Sequence, residues 1–126
     1  MAADAYIKVA ASQLQQAASA VKQDAEHMRA EFSSYKQQTN HDISNMQSEM
    51  HQRQIEAMRF KTDPPTYAAM MTNVKRIEQG MNTKKQELAQ RTSEVEQIVR
   101  SKEGAVQGIQ SQAQGLERQA SDPKLR

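Results

Sequence analysis

The chain contains no cysteine and no tryptophan, and only three tyrosines, two phenylalanines, four glycines and three prolines among its 126 residues. Without cysteine there is no disulfide and no thiolate to act as nucleophile or soft metal ligand. So few aromatics, within a hydrophobic fraction of 37%, leave little material for a compact globular core. No stretch approaches the roughly twenty apolar residues that a bilayer span requires. Residues 1–6 lack a basic region followed by an apolar run, so no cleaved signal is expected. A soluble, cytoplasmic protein is the expectation, with export by a route that needs no cleaved signal left open. An excess of one charge is lacking too, since 17 basic and 15 acidic residues are interleaved for a net charge of +2. A nucleic-acid surface gathers its basic residues into a stripe beside stacking platforms, and neither is visible, so no nucleic-acid partner is expected.

What is present is a long, polar, Gln-, Ala- and Ser-rich chain with a charged fraction of 25% and apolar residues at helical spacing. That phasing argues against disorder, because a solvated coil has no reason to repeat its apolar residues. The one firm break is Lys61-Thr62-Asp63-Pro64-Pro65-Thr66, near the midpoint. Two adjacent prolines cannot lie inside a helix, since each lacks a donor N–H and clashes with the preceding turn. The fold expected is all-α: a long antiparallel helical hairpin, a coiled coil, forming one domain over 1–126. Helix 1 is expected over about 3–61, the turn over 62–65, helix 2 over about 64–120 and a short tail over 121–126. Asp63 suits an N-cap whose carboxylate accepts from free N–H groups, and Pro64 suits the first helical position.

In the first arm, Ile7, Leu14, Val21, Met28 and Tyr35 form one heptad position and Ala11, Ala18, Ala25, Phe32 and Thr39 the other. After Thr39 the strict repeat would bury Asp42, whereas apolar residues continue at Ile43, Met46, Met50 and Ala57. From Phe32 to Ile43 is an eleven-residue step, equivalent to inserting four residues and relaxing the supercoil. In the second arm Tyr67, Val74, Met81, Leu88, Val95, Ile109 and Leu116 recur every seven residues, with Lys102 as the exception. Met70, Ile77, Ile98 and Ala105 occupy the alternate seam, interrupted by Lys84, Arg91 and Gln112. A neighbouring stripe, Thr92, Val99, Val106, Ala113 and Ala120, widens the apolar face. Gly104, Gly108 and Gly115 with Ser101 and Ser111 mark either a close helix contact or a frayed end, each glycine costing about 1 kcal/mol relative to alanine.

A turn centred on 62–63 pairs residues whose numbers sum to about 125. Ala11 then meets the Ala113 region, Ala18 meets Val106, Ala25 meets Val99, Met28 meets Ile98, Ile43 meets Met81, Met50 meets Val74 and Met58 meets Tyr67. Asp42 falls opposite Lys84 and Lys85. Two helices alone leave apolar surface wet, so self-association, as a homodimer forming a four-helix bundle, is expected.

His27, His41 and His51 are fourteen and ten residues apart, which does not set two ligands on one helical face. No nucleophile pattern, phosphate-cradling loop or inward Glu-x-x-His pair accompanies them, so no enzyme activity, metal or cofactor is expected. Met46, Met50, Met58, Met70, Met71 and Met81 concentrate beside the turn with Ile43, Ile55, Phe60 and Tyr67. Methionine adapts to varied apolar partners, although core packing also accounts for a methionine cluster. Ile55, Met58, Phe60, Tyr67, Met70 and Met71 are the candidate partner-binding residues, and a scaffold, adaptor or chaperone-like binder of another protein is the function expected. Alternatives are a helical hairpin exported without a cleaved signal and a helix pair that lies on a membrane surface.

Overall fold

The computed structural model describes residues 2–121 and contains two helices, α1 (Ala2–Met58) and α2 (Pro64–Ser121), packed against each other as an all-α helical hairpin. The tail expected beyond Ser121 lies outside the described residues. α1 stops three residues short of the expected position 61. There the backbone tightens: Arg59 N–H donates to Glu56, Phe60 N–H to Ala57 at 3.0 Å and Lys61 N–H to Met58, each three residues back rather than four. Asp63 N–H then donates to the Phe60 carbonyl at 2.9 Å, and Tyr67 N–H to the Asp63 carbonyl at 2.9 Å, so Asp63 begins α2 and Pro64 takes its first position. The Asp63 carboxylate accepts from the Thr66 hydroxyl at 2.8 Å, a side-chain partner that the sequence reading did not anticipate.

Packing divides the described residues into two compact units, one of residues up to Glu31 with those from Glu94 onward, the other of Phe32–Ser93. In Phe32–Ser93 the buried residues are Thr39, Ile43 and Ala57 from α1 and Val74 and Met81 from α2. Phe32, Met46, Met50, Tyr67, Ile77 and Leu88 are half-buried around them. Gly80 belongs to this core for a steric reason: a Cβ built there would lie 3.1 Å from the Met46 methyl, so the missing side chain makes room for methionine. Met58, expected in an inward layer opposite Tyr67, is exposed. Ala57 takes the inward position, fully buried, and Met58 turns outward because only one of two adjacent helical residues can face the partner.

In the other unit the core is built from small and β-branched residues. Ala11, Ala18 and Ala25 are buried, as are Val99, Val106, Ala113 and Ala120. Here the expectation needs correction. The stripe read as a widened flank is the core itself, while the alternate seam faces water: Ile98 is exposed, with Ala105, Arg91 and Gln112. The cause lies in α2. From Met81 to Thr92 the inward positions run 81, 84, 88, 92, an eleven-residue step like the one from Phe32 to Ile43 in α1. Asp42 lies 3.5 Å from Lys84, as expected, and Met46 lies against Gly80, so the two eleven-residue steps oppose each other within the Phe32–Ser93 unit. After it, the inward face of α2 continues at Val95, Val99, Lys102 and Val106.

Candidate interaction surface

The six residues singled out beside the turn separate by position on their helices. Ile55, Met58 and Phe60 are exposed by 50%, 55% and 43%, a large fraction for side chains of their size. Ile55 and Met58 are three residues apart in the last turns of α1 and therefore share a face. Phe60 sits in the turn, whose backbone is held by the hydrogen bonds described above. Tyr67, Met70 and Met71 occupy the first two turns of α2 and are half-buried, contributing to the core of the unit as well as to its surface. Of the remaining methionines near the turn, Met81 is buried and Met46 and Met50 are half-buried. The cluster thus divides into a packed inner part and an outer patch of Ile55, Met58 and Phe60.

Sequence reasoning missed the exposure of Tyr6, Val9, Tyr35 and Ile98. Tyr6 and Val9 occupy no inward heptad position, a signal legible in the spacing. Heptad spacing alone sets Ile98 in a seam because it does not include the eleven-residue step in α2, which the polar Arg91 and Gln112 of that seam signal.

Charged groups lie along the edges of the hairpin. Lys102 donates to the Asp24 carboxylate across the helices, holding that carboxyl below its usual value near 3.8, and Arg29 pairs with Glu103. Gln15 donates to Glu117 at 2.7 Å. A shallow groove lined by Lys22, Ala25, Arg29, Glu103, Val106 and Gln107 runs beside the Arg29–Glu103 pair, with no nucleophile and base in contact. His27 lies 2.8 Å from Glu31 one turn along the same exposed face. Among the described residues no group of three or more His, Asp or Glu is placed to hold a metal ion, and no helix is long and apolar enough to cross a membrane. No protein-family model, curated protein or solved structure matches the chain.

Proposed function

We propose that the chain is a cytoplasmic, non-catalytic protein-interaction module: a helical hairpin that self-associates and binds a further protein through the apolar surface at its turn, as scaffold, adaptor or chaperone-like binder. The observation that carries this reading is the exposure of Ile55, Met58 and Phe60, three large apolar side chains left in water on the last turns of α1 and the hydrogen-bonded turn that follows. Burying such side chains against a partner stabilises a complex by about 1.5–3 kcal/mol each before the costs of ordering. Methionine adds adaptability, since its unbranched thioether fills irregular contours. The interleaved charges and net charge of +2 favour a protein partner over a polyanion.

Replacing Ile55, Met58 and Phe60 together with Gln or Ser is the test, with the exposed Ile98 replaced as a control. Affinity capture from the native source should recover a partner with the parent chain and with the Ile98 variant. The triple variant should lose it while keeping its far-UV helicity. Equal recovery by all three proteins, or unfolding of the triple variant, would overturn the proposal.

A further inference from the structure

The unit formed by residues up to Glu31 with those from Glu94 onward has two sides that differ in kind. Its buried residues recur in rows of seven, Ala11, Ala18 and Ala25 on α1 and Val99, Val106 and Ala113 on α2, so neighbouring rows of seven keep to one side of the seam within it. Four residues beyond each buried alanine stand Gln15, Lys22 and Arg29, and four beyond each buried α2 residue stand Glu103, Gln110 and Glu117. The Arg29–Glu103 pair and the Gln15–Glu117 hydrogen bond join these rows, which makes this side polar and charged. Three residues beyond, on the opposite side, stand Leu14, Val21 and Met28 and, on α2, Lys102, Ile109 and Leu116, all half-buried. Their outer neighbours are Ala10, Ala17 and Asp24 on α1 and Ile98, Ala105 and Gln112 on α2, with Ile98 exposed by 44%. In these four rows Asp24 and Lys102, bonded to each other across the seam, are the only charges.

We propose that this apolar side is covered by the same side of a second copy, across a twofold axis parallel to the helices, so that α1 of each copy lies over α2 of the other. Charge selects both the occupant and the axis. One anion and one cation at the same level make the side neutral and complementary to itself, whereas an acidic or basic helix of another protein would find no net counter-charge there. A parallel axis keeps every residue at its level and exchanges the helices. Asp24 then faces the partner's Lys102, and Lys102 faces the partner's Asp24, giving four charges that alternate in sign. An axis across the helices would instead lay α1 on α1 and set Asp24 against apolar rows or against its own copy. The outer rows are short, with Ala10, Ala17 and Ala105, and a methyl group at Gly108 would meet no atom within 4 Å, so nothing on the hairpin fences the approach of a second layer. Two helices over residues 10–28 and 98–116 offer a face about 28 Å long and about 20 Å wide, on the scale of the about 800 Å² per partner that a stable interface buries once side-chain relief is counted. The result is a four-helix layer pair in which every neighbour is antiparallel. This rests on the self-association already proposed and names its surface, leaving Ile55, Met58 and Phe60 to the further protein.

The absence of native cysteine permits a direct test in the full chain. A17C and Q112C, made separately, mixed and oxidised, should form the A17C–Q112C disulfide between chains in severalfold excess over either self-disulfide and over K22C mixed with Q107C, a control pair on the charged side. Predominance of a self-disulfide would show a different axis, and mixed crosslinking no greater than the control would show no pairing through this side; either outcome overturns the inference. Adding I98K to both chains should bring the mixed crosslink down to the control level, and a crosslink undiminished by I98K would also overturn it. Capture of a further protein through the turn is read separately on the same chains and should survive I98K, so failure of that reading leaves the crosslinking result standing.

Discussion

Lys102 is the one charged residue in the α2 seam that runs from Tyr67 to Leu116 at steps of seven, and its role follows from its length. The half-buried aliphatic stem lies among the inward residues while the ammonium reaches Asp24 on α1. The folded Asp24 carboxyl titrates below its ordinary value because Lys102 donates to it and sits close as a charge. The ionised form is therefore favoured by folding: this contribution is fully present above the ordinary value near 3.8 and is lost as pH falls through the lower, folded value. Lys102→Met keeps the stem and removes the charge. The stability difference between parent and variant should be constant above about pH 5, shrink as acid is added below about pH 4, and diminish in high salt, since the pair is exposed. Urea titrations across that range measure it. A difference independent of pH would mean that the stem alone, not the ion pair, is responsible.

At the scale of the elements, the feature that sets the register is the opposed pair of eleven-residue steps, Phe32–Ile43 in α1 and Met81–Thr92 in α2. Deleting 39–42 restores a continuous heptad in α1 alone and slips the layers of one arm past the other by a helical turn. That should cost on the order of 3–5 kcal/mol, the scale of losing one or two packed core side chains. Deleting 84–87 as well removes the matching step together with Lys84, the partner of Asp42, and should recover most of the stability. Thermal unfolding of the single and double deletions measures both effects. If each deletion destabilises independently and the double deletion is worst, the steps are not matched.

The hairpin was legible in the sequence because Pro64 and Pro65 forbid a continuous helix and both arms repeat their apolar residues. The α1 step was legible too, since Asp42 would otherwise be buried. Its counterpart was hidden because both flanks of the α2 seam carry apolar residues, Ile98 and Ala105 on one side and Val99 and Val106 on the other. Periodicity alone does not say which flank faces the partner. Contact with the small Ala18 and Ala25 layers decides it in favour of the β-branched valines, which fill the space opposite a methyl group. The same ambiguity concealed the outward turn of Met58, one residue past the buried Ala57. The glycines of α2 are a further case. A methyl group at Gly104, Gly108 or Gly115 would meet no atom within 4 Å, so no close contact inside the hairpin accounts for them, and the helix continues through them to Ser121.

At the scale of the whole molecule, a two-helix chain with alanine in three successive inward layers buries little apolar area per residue, and its large exposed apolar side chains lie on α1 at Tyr6, Val9, Tyr35, Ile55 and Met58, in the turn at Phe60 and on α2 at Ile98. The proposed self-association makes one demand: that a second chain cover part of this surface. Sedimentation equilibrium of the parent chain and of an A17K/I98K variant, from micromolar to hundreds of micromolar, tests that demand most directly. The parent should approach twice the 14.2 kDa chain mass as concentration rises, and the variant should remain at the single-chain mass with its helicity unchanged. A parent that stays at 14.2 kDa over the whole range, or a variant that associates as strongly as the parent, would contradict the account.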